Sequence, residues 1–587
     1  MQFAADGYVL TGDDINIGAN DITLRVGDGT AAGAGFVTEI RNDIIGTGDI
    51  EFTDLGTLVF DGSNSGTGDF EVNNGRAIVT GVLTNPTVFA LSGSTLGGTG
   101  VISGNVTVNP GATLAAGDPV GGASSISSLL TGNLTLAAGS VLEVELNDGG
   151  NAFGVNNDFI DSLRFVQIDG GTIHVTPENG TDDGTTYAPG TIYTVVRADT
   201  TVTGSFDSVT DDYAFLTFSD SYDADHVHIT SALVAPAAPC TALSLTFNQD
   251  ATCGGVMSIG AGALHTAVLN LSNTEAPVAL DQLSGEIHGS AQTALIEDSR
   301  FAREAALGRL RGAPDEAGLW VQGIGSWNQW GGDGNAATLG RTIGGLMIGA
   351  DAEVNENVTF GVMGGFSRSG LDVSDRMSSG KVESYTLGAY AGRTWGAFSL
   401  KGGLSYGWHA LDTSRNVAFT GFADSLSASY KARSFQAFTE AAYTIETAKG
   451  RIEPYANLTY VNLMTDGYSE AGGAAALTSG KQSVKTTFTT LGVRGEMPLD
   501  LGRNKATLSG GIGWRHAFGD APGASHAFAG GTAFTVAGVP VARDALVVDA
   551  GLSVDLSKNA KFGSSYTVQL SSGRVNHAAT VGFNVRF

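Results

Sequence analysis

The last third of the chain alternates apolar residues with polar or small ones at a period of two. In residues 398–409 one side of a strand would carry Phe398, Leu400, Leu404, Tyr406 and Trp408, and the other side would carry Ser399, Lys401, Gly403, Ser405, Gly407 and His409. Twelve such segments begin near residues 318, 341, 357, 381, 396, 428, 450, 482, 505, 543, 560 and 575. Many have the length that a tilted strand needs to cross a bilayer. The pattern predicts a 12-stranded antiparallel transmembrane β-barrel with lipid outside and a polar lumen inside.

The chain end continues this pattern to its last residue. In TVGFNVRF, one face of a strand would carry Val581, Phe583, Val585 and Phe587. A soluble all-β sandwich or barrel also alternates and is the competing interpretation. A closed membrane barrel explains the apolar final strand better, because its last strand must pair with its first.

One strongly helical stretch precedes the barrel, at residues 281–312. It is rich in Ala, Leu, Glu and Arg, and Pro314 follows its end. Its apolar residues are spread around the helix rather than along one stripe, which suits a polar channel better than an apolar core. The charged positions in between are Glu297, Asp298, Arg300, Arg303, Glu304 and Arg309. A soluble coiled segment is the alternative.

The first 145 residues are short alternating segments separated by Gly, Asn, Asp and Thr. GNVTVNPGATLAAG from Gly104 and GNLTLAAGSVLEVEL from Gly132 are near-copies. Repeated strand–turn units of this size, with little helical signal, predict a right-handed parallel β-helix. The overall prediction is therefore an all-β chain, with a β-helix followed by a pore helix and the barrel.

Charge divides the chain near residue 240. Residues 1–240 contain 30 Asp and Glu but only 5 Arg and no Lys. The net charge of the whole chain is −28, and most of it comes from this part. Such an acidic surface repels phosphates, so a nucleic acid partner is not expected. Residues 236–280 read as a linker between the two parts.

Candidate chemistry is sparse in residues 1–235. The region contains no nucleophile elbow, zinc-protease motif or phosphate-binding loop, so no cofactor is expected. His226 and His228 alternate on one strand and could bind zinc, although two exposed polar residues are the favoured interpretation. Asp61 and Asp69 could bind calcium, but an ordinary turn is favoured there. We therefore predict no metal site.

Three segments resemble those of the type Va autotransporters of Gram-negative bacteria. LDQLSGEIHGSAQTALIEDSR at 280–300 is similar to the family's pore-threading segment, residues 92–120 resemble its passenger-associated transport repeat, and residues 146–235 resemble its autochaperone cap. GFNVRF resembles the family's C-terminal assembly signal, with Phe583, Val585 and Phe587 at the matching positions. The resemblance implies a barrel over 313–587 that is located in the outer membrane, and a passenger at the cell surface.

The same resemblance implies a function and partners. We expect a monomeric translocator that the barrel-assembly machinery inserts among outer-membrane lipid, and that displays its own passenger, which could bind host or surface ligands. The passenger reads as structural or adhesive and not as an enzyme. The alternatives are an autotransporter enzyme whose catalytic domain lies upstream of Met1, and a porin-like barrel with an unrelated soluble domain. Because MQFAADGYVLTGDD lacks the features of a signal peptide, we expect the natural chain to extend upstream.

The two cysteines of the chain are candidates for a disulfide in an exported protein. Cys240 and Cys253 are the only ones in the chain. An exported protein meets an oxidising periplasm, so a disulfide between them is favoured over two free thiols.

Overall fold

A computed structural model describes residues 1–117, 125–147, 150–178, 189–234, 239–312, 317–355, 358–500, 502, 505–519 and 521–586. The chain divides into two compact units. The first comprises Met1–Ser244, Ala261–Pro277 and Phe419–Phe422, and the second comprises Leu245–Gly260, Val278–Ala418 and Ala423–Phe587.

The first unit is built from three largely parallel sheets whose successive strands are interleaved along the chain. The strands of the first sheet are Gln2–Phe3, Ile22–Val26, Ile50–Thr53, Phe70–Val72, Thr87–Ala90, Asn105–Val108, Leu134–Leu136, Phe165–Ile168 and Thr201–Gly204. Those of the second are Tyr8–Leu10, Val37–Ile40, Thr57–Phe60, Gly75–Val79, Ser94–Gly98, Thr113–Ala116, Val141–Leu146, Thr172–Pro177 and Ser208–Asp211. Those of the third are Ile15–Gly18, Ile44–Gly46, Ser63–Asn64, Val82–Leu83, Val101–Ile102, Ser128–Thr131, Phe159–Ser162, Ile192–Ala198, His226–Leu233 and Leu216–Tyr222. This is the β-helix-like arrangement that the repeats predict.

Apolar ladders fill the interior of these sheets. One ladder stacks inward residues from successive strands of the first sheet: Leu24, Phe52, Val72, Ala90, Val108, Leu136 and Ile168. All of them are buried. The two near-copies seen in the sequence lie one above the other, with Val106 in register with Leu134. Each strand therefore covers the apolar face of its neighbour, and burial of that face supplies most of the driving force for folding.

The parallel stack ends in an antiparallel pair. His226–Leu233 pairs antiparallel with Ile192–Ala198 on one side and with Leu216–Tyr222 on the other. The side chains of Phe206, Phe215 and Phe218 are buried. Antiparallel pairing terminates the parallel ladder at this end of the unit.

Five helices separate the sheets from the barrel: α1 (Phe247–Met257), α2 (Ala263–Leu269), α3 (Glu275–Leu283), α4 (Glu286–Asp298) and α5 (Arg300–Gly312). The segment read as a linker thus contains helical turns, and α1 begins with a capping box between Thr246 and Gln249. The single helix predicted at 281–312 is broken at Gly285, where φ is +67°, and again at Ser299. None of the helices in the described part of the chain is long and apolar enough to span a membrane.

The barrel consists of twelve long antiparallel strands. They are β1 (Gly318–Trp330), β2 (Leu339–Asn355), β3 (Val358–Val373), β4 (Ser378–Trp395), β5 (Phe398–Phe419), β6 (Phe422–Tyr443), β7 (Gly450–Thr465), β8 (Gln482–Asp500), β9 (Lys505–Gly519), β10 (Asp544–Ser557), β11 (Ala560–Ser571) and β12 (Arg574–Arg586). A short strand, Ile445–Thr447, follows β6 and pairs with β7. The first and last strands pair from Gly318 with Arg586 to Trp330 with Arg574, so the sheet closes on itself.

The two faces of the strands separate as the sequence predicts. On β5, Phe398, Leu404 and Trp408 are 42%, 54% and 44% exposed on the outside. Lys401 and His409 on the opposite face are 7% and 8% exposed. The outer face therefore presents hydrocarbon, and the inner face encloses polar groups.

Two connections between barrel strands form a further small sheet. Its strands are Tyr468–Ser469, Leu477–Ser479, Gly523–Phe528 and Phe534–Ala537. They belong to the segments 466–481 and 520–543, which connect β7 to β8 and β9 to β10. In the structure this loop sheet packs against α4 and α1.

Candidate functional site

Helices α4 and α5 lie inside the barrel. Nearly every described side chain of α4 is buried, on all sides of the helix. The apolar residues Phe301, Ala305 and Leu307 of α5 pack against inward-facing barrel residues that include Trp320, Met347 and Phe438. A helix that is buried all round must satisfy its polar groups with the surrounding wall, and the charged residues singled out in the sequence do so.

Glu297 and Asp298 make ion pairs with two different strands at the end of α4. The carboxylate of Glu297 accepts hydrogen bonds of 2.7 and 2.9 Å from Nη1 and Nη2 of Arg515 on β9. Asp298 forms an ion pair with Arg341 on β2 and accepts a 3.1 Å hydrogen bond from Ser369 on β3. The end of α4 is thereby fixed to separate parts of the wall.

Arg300 and Arg303 continue these contacts at the start of α5. Arg300 donates from Nη2 to Asn576 of β12 at 3.1 Å, and Arg303 donates from Nη1 to Gln436 of β6 at 2.7 Å. The Arg303 guanidinium also lies 5.7 Å from the ring centre of Phe488. A planar guanidinium can hydrogen-bond at its edge and stack on its face, so both arginines suit a lumen that mixes aromatic and polar groups.

The far end of α5 is held by two more arginines. Arg309 makes a bidentate contact with Asp351 of β2, with both distances 2.7 Å, and Arg311 contacts Glu440 of β6 at 2.6 Å. Glu304 is half-buried and lines a cavity of about 410 Å³ together with Arg494 and Asp549. Five of the six predicted charged helix residues thus contact the wall directly, and Glu304 faces this cavity.

The loop sheet contacts the start of α4. His288 lies 2.9 Å from Glu470 and 3.0 Å from the hydroxyl of Tyr430, while Arg415 of β5 binds the same Glu470 carboxylate at 2.7 and 2.8 Å. His526 donates from Nε2 to the carbonyl of Ser284 at 2.9 Å. This cluster could not be predicted from sequence patterns, because its members are separated by up to 242 residues.

Glycines allow this close approach. A Cβ atom on Gly289 would lie 2.8 Å from the backbone nitrogen of Gly538, and a Cβ on Gly285 would lie 2.4 Å from Leu477. Thr293 also donates to the carbonyl of Val539. Among the described residues, α4 and α5 therefore occupy the barrel lumen, with the cavity of about 410 Å³ beside α5, and the loop sheet packs against α4.

The C-terminal strand carries the predicted assembly residues on its outer face. Phe583 is 38% exposed and pairs with Val321, and Val585 is half-buried and pairs with Leu319. Phe587 lies outside the described residues. Recognition of these three residues stays a prediction.

The two cysteines are both disulfide-bonded and their side chains are buried. The calcium candidates Asp61 and Asp69 make different contacts: Asp61 accepts a 3.2 Å hydrogen bond from Thr80, and the backbone amide of Asp69 donates to Asp49 at 2.8 Å. Within the described ranges one group of three potential metal ligands occurs, formed by Asp223, His226 and His228. Two of its members are the histidines noted in the sequence.

Residues 319–567 match the family model of the autotransporter β-domain. Two curated relatives, both named extracellular serine protease and both from Serratia marcescens, are 28% identical over 605 and 608 residues. Each match covers 93% of this chain and 56% of the relative, so the chain spans about half the length of these relatives. The BmaC autotransporter adhesin of Brucella suis is 47% identical over 75 residues, which is 13% of this chain and 2% of the adhesin.

Solved structures are similar over the barrel. The translocator domain of the autotransporter NalP from Neisseria meningitidis is 22% identical, with a TM-score of 0.43, over 51% of this chain and 99% of that domain. The β domain of the Bordetella autotransporter BrkA is 20% identical, with a TM-score of 0.37, over 46% of this chain and all of that domain.

These comparisons correct one expectation. The prediction that the protein is not an enzyme is wrong, because the curated relatives that match it over 93% of its length are named serine proteases. The match of residues 319–567 to the family model, together with the closed 12-stranded barrel, identifies this part of the chain as an autotransporter β-domain, which is an outer-membrane translocator.

Proposed function

We propose that this chain is the stalk and translocator of a secreted serine protease. The barrel would carry the passenger through the outer membrane, and the β-helical residues 1–234 would hold a catalytic domain away from the cell. This proposal is supported by the two Serratia proteases, which match nearly the whole chain while extending well beyond the matched part. The expected catalytic domain corresponds to that unmatched part.

The observation that carries the translocator role is the position of α4 and α5 inside a closed barrel. The chain leads covalently from residues 1–234 through these helices to β1, so its N-terminal side enters the lumen directly. Contacts of Glu297, Asp298 and Arg309 with the wall would stop the chain once transport is complete. Folding of the β-helix outside the cell would make backward movement unfavourable without any nucleotide.

Assembly of such a barrel in the family involves the barrel-assembly machinery. We infer that Phe583, Val585 and Phe587 form the recognised end of the last strand here. Support comes from Phe583 and Val585, which share one face of a strand that closes the barrel by pairing with β1. Replacement of Phe587 by Ser should lower the amount of folded barrel in the outer membrane, whereas Ser571→Ala in the preceding strand should not.

The protease proposal is tested with cells that carry the natural gene. A fluorophosphonate probe, which labels active serine hydrolases, is applied to intact cells, and the product is captured with an antibody against residues 1–234. We expect a labelled product, and we expect the label to be lost when cells are treated with a serine protease inhibitor beforehand. A captured product that is at the surface but never labelled would contradict a protease while leaving the translocator role intact.

Surface binding by the β-helical part is a second candidate. It is supported by the match to the Brucella adhesin, which is 47% identical over 75 residues, or 13% of this chain. Cells that display the chain would then adhere to host cells or matrix, and deletion of Ile15–Ile40 should abolish this adherence. Equal adherence with and without the chain would exclude this role.

A further inference from the structure

A turn in the first unit brings two histidines and an aspartate together. His226 and His228 lie two residues apart on the strand His226–Leu233, so their side chains emerge on the same face. Their rings stack with centroids 5.6 Å apart and an angle of 18° between planes. Asp223 is in the turn between this strand and Leu216–Tyr222.

Each histidine has a ring nitrogen near a different carboxylate oxygen of Asp223, so the three residues are close enough together to share one metal ion. Asp223 Oδ1 lies 3.1 Å from His226 Nδ1, and Asp223 Oδ2 lies 3.2 Å from His228 Nε2. One ligand atom from each of the three residues lies within 4.8 Å of the other two. Zinc–nitrogen and zinc–oxygen bonds of about 2.0–2.2 Å place neighbouring tetrahedral ligands about 3.3 Å apart. The observed spacings are close to that value.

A neighbouring strand orients His228. Thr194 Oγ1 lies 3.0 Å from His228 Nδ1. If Nδ1 donates to this hydroxyl, Nε2 is left unprotonated and directed toward Asp223. Hydrogen bonds that fix the tautomer and ring orientation of a histidine ligand are typical of metal sites.

Two further groups complete the surroundings. Asp225 Oδ1 lies 3.0 Å from His226 Nδ1 and offers a second carboxylate. Arg197 is in register with His226, but its guanidinium makes a bidentate contact with Asp161 at 2.9 and 2.8 Å. Its positive charge is therefore neutralised, and the site stays favourable for a cation. The histidine side chains are 29% and 23% exposed, so an ion has access.

We propose that Asp223, His226 and His228 bind a Zn²⁺ ion, with Asp225 or water as the fourth ligand. The ion would clamp the turn between the two strands that end the parallel stack. Because these ligands come together only in the folded unit, zinc binding would stabilise the fold.

The test uses the full chain in detergent, purified without a polyhistidine tag. Equilibrium dialysis against Zn²⁺ should leave one ion per chain in the wild type and none in His226→Gln/His228→Gln. His174→Gln is the matched control, because His174 also neighbours an aspartate, Asp212 at 3.5 Å, but has no second histidine beside it. Co²⁺ in place of zinc should give the visible absorption of tetrahedral nitrogen and oxygen ligation.

A second variant tests the site even if the double histidine variant misfolds. Thr194→Val keeps all three ligands and removes only the orienting hydroxyl, so zinc affinity should fall about 10-fold or more. Zinc should also raise the urea concentration at which residues 1–234 of the wild type become sensitive to protease. Zinc retained equally by the wild type and the double histidine variant, or retained by neither, would overturn the proposal.

Discussion

The carboxylate of Glu297 and the guanidinium of Arg515 form a bidentate ion pair inside the barrel, between residues 218 positions apart in the chain. Both side chains are almost fully buried, at 6% and 4% exposure. The pair joins the end of α4 to β9. Breaking this ion pair therefore tests how firmly the helix is held in the lumen.

Arg515→Met should destabilise the barrel strongly. Removing one partner of a buried pair leaves an uncompensated charge, which typically costs about 3–5 kcal/mol. We expect the barrel to lose its compact form at a lower temperature, measured by the shift between folded and unfolded bands on detergent gels. Adding Glu297→Gln to Arg515→Met should recover part of the loss, because the isolated carboxylate is then gone.

The pair between Arg368 and Glu383 is the matched control for that experiment. Its atoms are 2.9 Å apart, but its side chains are 70% and 44% exposed. Exposed pairs contribute about 0–1 kcal/mol, so Arg368→Met should leave the transition within a few degrees of the wild type. Equal effects of the two arginine substitutions would show that Glu297 and Arg515 do not hold the helix.

The barrel strands could be predicted closely from the sequence. Eleven of the twelve predicted strand starts fall within three residues of the observed ones, and the exception, predicted at 428, begins at Phe422. Alternation works here because each strand has lipid on one side and polar groups on the other, a constraint that acts at every residue. The outward positions of Phe398, Trp408 and Phe562 follow from it.

The contacts across the lumen could not be predicted. The alternation of apolar and polar residues predicts that Arg515 faces inward. Its partner, however, depends on strand register and on the height of the helix in the barrel. The loop sheet was missed because its longer strands, Gly523–Phe528 and Phe534–Ala537, have only six and four residues, too few to show a pattern. The break at Gly285 was missed because the residues on either side of it favour a helix.

Gly289→Ala should loosen the loops that cover α4. The added Cβ would lie 2.8 Å from the backbone nitrogen of Gly538, closer than such contacts occur, so either the helix or the 520–543 loop must move. We expect faster proteolysis of this loop and a higher single-channel conductance in planar bilayers. Gly308→Ala is the control, since nothing lies within 4 Å of its Cβ position. Unchanged conductance and proteolysis in Gly289→Ala would mean that the contact is not a seal.

The stability of the β-helical unit should fall as the pH rises from about 4 to 6. Burial raises the pKa of Asp211 from 3.8 to about 6, although the amide of Tyr213 donates to its carboxylate at 3.1 Å. The folded chain thus keeps this proton at pH values where the unfolded chain has released it. The contribution is fully present below about pH 4 and is lost as the pH rises through the folded-state value.

Pulse proteolysis in urea measures this dependence in the full chain. All six tryptophans lie in the barrel, so fluorescence would report on the wrong unit. Asp211→Asn should flatten the pH dependence between 4 and 6, while Asp199→Asn, at a side chain that is 51% exposed, should leave it unchanged. Burial also raises the pKa of Asp158 well above its ordinary value, so a smaller slope of the same sign should persist in Asp211→Asn.

Phe215→Ser should block export of the passenger. Phe215 is fully buried next to the antiparallel strands that end the parallel stack, and losing a buried aromatic side chain typically costs about 3–5 kcal/mol. If folding of this end outside the cell drives transport, the passenger should stay in the periplasm and should resist protease added to intact cells. Phe153→Ser is the matched control, because Phe153 is 52% exposed. Suppose that the passenger of Phe215→Ser is unfolded but is still digested at the cell surface at the wild-type rate. Transport would then not depend on folding of this region.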